Sequence, residues 1–288
     1  MIKLRGINFS LHPLFVLVML ASIITGRFME LLMLFVIVLW HELGHLVTAL
    51  RFGWTVQEVK LLPFGGVVEV EEAGTLPARE ELWVAIAGPL QNGLLAALGW
   101  LLAQFSWIDT SFAHEFVLAN VTIGLFNLLP ILPLDGGRIL QAWVGLGVPY
   151  YRTLLWSARI SLLWSGLIVI AAFYPLLHGG LLELNWLAIG LFLCVSNWTY
   201  MRNIPYVFLR FLVRRIERTE RQVAEGLLSR PIVIAADRPL SSILRLLMKE
   251  QYHLIYVMKR GRIAKVVPEN AIVERFLMSR NADLQFFM

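Results

Sequence analysis

Long apolar segments separated by short polar stretches dominate the first two thirds of the chain. There are six, covering residues 13–25, 30–50, 82–105, 116–133, 154–177 and 181–200. Most approach the roughly 20 residues that an α-helix needs to cross the hydrocarbon core of a bilayer. The pattern predicts an α-helical polytopic membrane protein with six transmembrane helices, of which the first is the shortest.

A shorter apolar segment, residues 61–70, has a different pattern. It is too short to span a bilayer as a helix, and its end alternates apolar and polar residues as a strand does. Gly65 and Gly66 near its centre favour a tight turn. The segment therefore predicts a membrane-associated β-hairpin, with an amphipathic surface loop as the alternative.

The composition changes after residue 201, where soluble α/β patterning replaces long apolar runs. The predicted elements are a strand at 231–236, a helix at 240–251, strands at 253–259 and 262–267, and a helix at 269–278. We therefore predict a membrane domain at 1–201, a basic linker at 202–226 and a small cytoplasmic α/β domain at 227–288.

The overall composition agrees with a lipid environment. Hydrophobic residues make up 58% of the 288 residues and charged residues 16%, and the mean hydropathy is +0.69. Soluble domains are usually about 45–50% apolar and about 25% charged. The excess of apolar residues indicates an integral membrane protein.

Cationic residues favour one side of the predicted membrane. With the N-terminus in the cytoplasm, the three outside loops hold only Arg27. The inside segments hold Lys3, Arg5, Arg51, Lys60, Arg79, Arg152, Arg159, Arg202, Arg210, Arg214, Arg215, Arg218 and Arg221. This asymmetry predicts that both termini are cytoplasmic. The final arginine cluster indicates contact with anionic lipid. Nucleic acid is not an expected partner, because this segment has neither a recognisable nucleic-acid-binding fold nor interleaved aromatic residues.

The second apolar segment carries the strongest chemical motif, His41-Glu42-Leu-Gly-His45. Residues four apart lie on one face of a helix, so the two imidazoles can hold one zinc ion. Glu42 lies beside them, where a carboxylate can accept a proton from water activated by the metal. The pair lies roughly 9–15 Å from the cytoplasmic end of the span, marked by Arg51. Ionisable groups at this depth are costly and indicate function.

Asp135 is the candidate for a third metal ligand. The fourth apolar segment approaches it from the outside face, so Asp135 arrives at a depth comparable to that of the histidines. Pro130 and Pro133 break the helix before it, and the glycines at 136 and 137 permit a sharp turn. The alternative is that Asp135 only caps the following helix. In the third segment, Gly88 and Pro89 favour close packing, and Gln91 and Asn92 could hydrogen-bond to a neighbouring helix.

Together these motifs resemble the site-2 protease family of intramembrane zinc metalloproteases. Residues 41–45 and 127–137 match its two defining motifs in order and location, and residues 63–66 and 88–92 match accessory segments. The resemblance implies one zinc ion per chain, with His41, His45 and Asp135 as ligands and Glu42 as the catalytic acid/base. It also implies candidate substrate contacts at Asn127, Phe64, Gly65, Gly66 and Pro133.

Within that family, six spans followed by one cystathionine-β-synthase-type (CBS) unit resemble its sporulation branch. The implied substrate is a membrane-associated pro-sigma factor, released as the active factor. The implied partners are inhibitory or regulatory membrane proteins, and the implied location is the mother-cell membrane around the forespore.

The C-terminal unit departs from the fuller CBS pattern. CBS modules usually occur in pairs, and nucleotide-binding ones carry Thr or Ser and Asp where this chain has Pro268 and Ala271. ATP binding, substrate docking and assembly of a homo-oligomer remain alternatives for this unit. For the whole protein the alternatives to a protease are a metal transporter, which gains nothing from Glu42, and a membrane scaffold without activity.

Overall fold

The described part of the chain forms two compact units. The computed structural model describes residues 2–4, 7–11, 19, 22–62, 65–70, 76–225 and 228–278. The N-terminal unit comprises Met1–Ala73, Glu80–Pro130 and Leu134–Ile139. The C-terminal unit comprises Gly74–Arg79, Ile131–Pro133 and Leu140–Met288.

Helices dominate the fold, with strands near the two ends of the chain. The strands are β1 (Ile2–Leu4), β2 (Ile7–Leu11), β3 (Val56–Leu62), β4 (Gly65–Val70), β5 (Ser229–Ala235), β6 (Tyr252–Lys259) and β7 (Arg262–Pro268). The helices are α1 (Phe28–Arg51), α2 (Ala78–Gln104), α3 (Thr110–Asn127), α4 (Asp135–Gly145), α5 (Tyr150–Ala172), α6 (Leu184–Glu225), α7 (Leu240–Leu244) and α8 (Glu269–Met278). A 3₁₀ turn, Tyr174–His178, follows α5.

Within the described residues, three helical segments are long and apolar enough to cross a membrane. They are Phe28–Arg51, Ala78–Gln104 and Tyr150–His178, and they coincide with three of the six predicted spans. Large apolar side chains are exposed along them, as lipid-facing residues are. The first predicted span lies mostly outside the described residues. Helix α3 ends at Asn127 rather than at residue 133, before the two prolines, and the six-span count stays a prediction.

The N-terminal unit contains a four-stranded sheet in the order β1-β2-β3-β4. Strands β3 and β4 are antiparallel, with Leu61 opposite Gly66 and Leu62 opposite Gly65, which confirms a hairpin in this segment. The turn is not at the two glycines as predicted, because they are the first residues of β4 and pair with β3, and residues 63 and 64 lie outside the described residues. Strand β2 pairs with β3 in parallel. Neither β1 nor β2 was predicted, although residues 7–11 alternate apolar and polar side chains.

The C-terminal unit is built around a cluster of buried apolar side chains. Helix α5 packs along α6, and the β5–β6–β7 sheet and the helices α7 and α8 complete the cluster. Its members are Tyr150, Tyr151, Leu154, Ala158, Ile204, Phe208, Phe211, Leu212, Ile243, Leu244, Leu247, Ile255, Ile272, Val273 and Phe276. The start of α5 and the middle of α6 thus share one apolar core with the C-terminal α/β segment.

The predicted β-α-β-β-α order of that segment is confirmed, with two differences. Helix α7 ends at Leu244 rather than at residue 251. Carbonyl groups beyond this end accept tertiary hydrogen bonds instead of continuing a helix. Tyr150 N donates to Leu247 O at 3.0 Å, and Arg215 Nη1 donates to Met248 O at 2.7 Å. The expected linker at 202–226 is not a separate connection, since α6 runs through it without interruption to Glu225.

A buried ion pair joins α6 to the C-terminal segment. Arg215 Nε and Nη2 donate to the two carboxylate oxygens of Glu269 at 2.8 and 3.0 Å, and His253 Nδ1 lies 3.0 Å from the second oxygen. Burial alone would raise the pKa of Glu269, but hydrogen bonds from His253 and Arg215 and the Arg215 charge lower that pKa below its usual range. Glu269 is therefore the anion of a bidentate pair.

Candidate metal centre

Helix α1 carries the two histidines of the motif on one buried face. His41 and His45 are one helical turn apart and have exposed fractions of 3% and 7%. Their rings meet edge to face, with centroids 4.8 Å apart. Glu42 is also buried. The local 3.6-residue period of the helix is sufficient to bring the two imidazoles together.

Asp135 reaches the histidines from the far side of the loop that follows α3. It is the first residue of α4 and is buried. Gly136 makes this approach possible, because a Cβ there would collide with the backbone of Leu128 and Leu129 at the end of α3. The chain therefore folds back tightly on α3. The Asp135 carboxylate turns toward the histidines, although the residue also begins the helix as the capping alternative assumed.

The three side chains present a converging set of donor atoms. Asp135 Oδ2 lies 3.0 Å from His41 Nε2 and 3.2 Å from His45 Nε2, and the two Nε2 atoms are 3.1 Å apart. Two ligands bound about 2.1 Å from one zinc ion at tetrahedral angles are about 3.4 Å apart. The observed spacing is close to this value, and these residues form a group that could hold a metal ion.

The remaining ring nitrogens are engaged by oxygen atoms. His45 Nδ1 lies 2.7 Å from Val84 O, and His41 Nδ1 contacts Asn92 Oδ1. A carbonyl oxygen only accepts, so each Nδ1 donates, and in a neutral imidazole Nε2 then carries a bare lone pair. The two Nε2 lone pairs and the Asp135 carboxylate oxygen thus face one another, and a cation bound between them would remove their mutual repulsion. The residues present fit a divalent metal.

Helix α2 passes directly against this centre at a glycine. A Cβ on Gly88 would lie 2.6 Å from His41 Nε2 and closer still to His45 Nε2. Gly44 plays a similar part on α1, where a Cβ would lie 2.8 Å from Ala87 O. The expectation that Gly88 permits close packing is thus confirmed. The expected helix-to-helix hydrogen bonds are also present, since Trp40 Nε1 donates to Gln91 Oε1 at 3.0 Å.

The predicted substrate contacts are distributed over several elements. Asn127 ends α3, and its Nδ2 donates to Ile123 O at 3.0 Å. Gly65 and Gly66 begin β4, while Phe64 lies outside the described residues. Pro133 follows a cis peptide bond in the loop before α4. The structure brings none of these four into hydrogen-bond contact with the histidine pair among the described contacts.

Two residues with a role at this centre were not predicted as site residues. Val84 O and Asn92 Oδ1 hold the histidine rings, and Asn120 in turn contacts Asn92. A backbone carbonyl leaves no signal in the sequence. The buried amides did leave one, because asparagine is rare inside apolar helices and usually has a partner there.

Comparisons with known proteins agree with this geometry. The profile of peptidase family M50 matches residues 29–117 and 103–154. Stage IV sporulation protein FB of Bacillus subtilis is 32% identical over 277 residues, which cover 96% of this chain and 94% of that protein. A zinc metalloprotease of Methanocaldococcus jannaschii is 27% identical over 91% of this chain and 75% of its own length.

A solved structure gives the same result. The site-2 protease from Methanocaldococcus jannaschii matches with a TM-score of 0.54 and 29% identity, covering 70% of this chain and 94% of that one. Together with these similarities, the apolar helices and the buried His-His-Asp group identify a membrane zinc metalloprotease. The chain belongs to peptidase family M50, the site-2 proteases. This membership favours a protease over the metal-transporter and inactive-scaffold alternatives.

Proposed function

We propose that this protein performs regulated intramembrane proteolysis on a membrane-associated pro-sigma factor and releases the active transcription factor during sporulation. The observation that carries the proposal is the near full-length similarity to stage IV sporulation protein FB. That similarity covers 96% of this chain, the similarity to the zinc metalloprotease of Methanocaldococcus jannaschii covers 91%, and three other relatives match 37–56% of it. Its substrate class is therefore the first one to test.

At the centre, His41, His45 and Asp135 hold one zinc ion, and Glu42 is the acid/base. Bound zinc supplies Lewis acidity, which lowers the pKa of water and polarises the scissile carbonyl. Glu42 accepts a proton as water oxygen adds to the carbonyl carbon. It then returns the proton to the amide nitrogen as the C–N bond breaks, which leaves a carboxyl group and an amine.

The substrate strand is proposed to bind along β4. A peptide bond must leave its helix to be cleaved, and an extended segment can add to a free strand edge through backbone hydrogen bonds. Among the described residues β4 forms one edge of its sheet, and it runs alongside α1, which carries the histidines. Gly65 and Gly66, the first residues of β4, are the proposed substrate contacts on this strand. Phe64, Asn127 and Pro133 are the other proposed contacts.

Cross-linking tests the strand proposal. A photoreactive amino acid at Val68 in β4 is expected to capture the substrate in the Glu42→Gln background, where cleavage does not remove it. The same label at Val59, which is opposite Val68 in the register, is the matched control, because β3 lies between β2 and β4. Mass spectrometry of the products would show the captured peptide. Equal capture from the two strands would contradict docking at β4.

The remaining assignments complete the proposal. The protein has six spans with both termini in the cytoplasm, and it resides in the mother-cell membrane around the forespore. Regulatory membrane proteins hold it inactive. The CBS-type segment from residue 227 docks substrate or assembles a homo-oligomer, and ATP binding there is the second candidate role. Arg202, Arg210 and Arg214 of α6 contact anionic lipid, whereas Arg215 is buried against Glu269.

The direct test is cleavage of a co-expressed pro-sigma factor, with and without metal. The wild-type protein in vesicles is expected to shorten the pro-sigma factor, and a membrane-permeant chelator should stop cleavage until zinc is restored. Asp135→Ala should stay inactive in excess zinc. A wild-type protein that binds zinc and cleaves another membrane peptide, but never the pro-sigma factor, would refute the substrate and leave the protease class intact.

A further inference from the structure

Two buried asparagines connect α2 and α3 behind His41. Asn92 on α2 and Asn120 on α3 have exposed fractions of 1% and 0%. Asn92 Oδ1 contacts Nδ1 of His41, while Nε2 of the same ring faces Asp135. Gly124, one turn beyond Asn120, leaves space for this contact, because a Cβ there would lie 3.3 Å from Asn92 Cβ. The two helices therefore meet closely at the asparagine pair.

Hydrogen bonds fix the orientation of both amides. The carbonyl of Phe116 can only accept, so Asn120 donates to it through Nδ2 at 2.9 Å. Asn120 Oδ1 then faces Asn92, whose Nδ2 donates to it at 3.3 Å. Asn92 Oδ1 is consequently the atom presented to His41 Nδ1. The direction of the whole chain of hydrogen bonds is set by one backbone carbonyl.

We propose that Asn92, oriented by Asn120, is a positioning residue that holds His41 in the tautomer whose Nε2 binds the metal. An oxygen at Nδ1 requires a proton there, and a neutral ring then has its lone pair on Nε2. His45 receives the same support from the backbone carbonyl of Val84, which side-chain substitution does not remove. His41 is thus the ligand whose tautomer depends on side chains. The inference rests on the zinc ligation proposed above.

The test measures metal binding by the purified full-length protein in detergent, by zinc competition with a chromogenic chelator. Asn92→Leu removes the acceptor and keeps the branched arrangement of the side-chain heavy atoms, and zinc affinity is expected to fall about 10- to 100-fold. Asn92→Asp restores an oxygen acceptor, so it should bind zinc more tightly than Asn92→Leu. Asn120→Leu leaves the Asn92 amide able to rotate, so the zinc affinity of this variant should lie between those of wild type and Asn92→Leu. The visible spectrum of bound Co²⁺ should change in Asn92→Leu.

Thr48→Val is the matched control on α1. It removes a hydroxyl that donates only to Gly44 O at 2.9 Å in the described contacts, and zinc affinity and the Co²⁺ spectrum should remain those of wild type. Equal zinc affinity in Asn92→Leu and wild type, or equal loss in Asn92→Asp and Asn92→Leu, would overturn the inference. If Asn92→Leu does not fold, the zinc affinity of Asn120→Leu is compared with that of wild type. Equal affinity in these two proteins would then overturn the inference. A wild-type protein that binds no zinc would instead refute the proposed function.

Discussion

Replacing Glu42 by glutamine is expected to lower cleavage about 10²- to 10⁴-fold while one zinc ion per chain stays bound. Glutamine has nearly the same shape as glutamate but cannot accept a proton from water. Glu42 lies beside His41 on α1 and is buried, yet it is not part of the converging donor group of His41, His45 and Asp135. The substitution therefore separates proton transfer from metal binding. Zinc analysis and a cleavage assay on the same preparation measure both.

The control for this variant is Glu30→Gln on the same helix. Glu30 lies in the exposed first turn of α1, roughly 18 Å along the axis from Glu42. It undergoes the same change of charge and should retain full cleavage. Undiminished cleavage by Glu42→Gln would refute the acid/base role, and zinc loss in that variant would assign Glu42 to metal binding instead.

Replacing Gly88 by alanine is expected to lower zinc affinity by more than about 100-fold. This loss exceeds the usual effect of a substitution outside the ligands themselves. The added Cβ would occupy the space at both Nε2 atoms, since it would lie 2.6 Å from His41 Nε2 and closer to His45 Nε2. Both histidines would have to rotate away from Asp135. The helix itself is not weakened, because alanine favours a helix interior by about 1 kcal/mol over glycine.

Gly93→Ala provides the comparison on the same helix. A Cβ at Gly93 meets no atom within 4 Å, so this variant should bind zinc and cleave substrate as the wild type does. Equilibrium dialysis with zinc and a thermal melt of both variants would measure binding and folding together. Stoichiometric zinc in Gly88→Ala would show that α2 does not lie against the metal centre as described.

Motifs in the sequence alone were sufficient to predict a site-2 protease. The motif at residues 41–45 specified the enzyme class, and the wider comparisons bear out that class. The roles of the individual residues remain proposals, and the variants of Glu42, Gly88 and Asn92 test them separately. Each affects a different property: proton transfer, space for the ligands and the tautomer of one ligand.

Local patterns in the sequence determined the features that depend on near neighbours. The spacing of His41 and His45 sets them on one face of α1 because a helix repeats every 3.6 residues. The apolar runs, the hairpin in residues 61–70 and the β-α-β-β-α order of elements in the C-terminal segment follow in the same way. Asp135 was predicted as the third ligand from the order of the spans. The fourth apolar segment runs from the outside face toward the cytoplasm, so its end lies at a depth comparable to that of the histidines.

Only the tertiary structure decided the features that depend on contacts distant in sequence. The pairing of β2 with β3, the end of α7 at Leu244 and the support of His45 by Val84 O arise between segments 30 or more residues apart. The sequence predicted that Asn92 could hydrogen-bond to a neighbouring helix but did not single out Asn120, and the direction of both amides depends on the carbonyl of Phe116. Periodicity records which face of an element is buried. It does not record which polar group on another element that face will meet, and hydrogen bonds of this kind hold the metal centre.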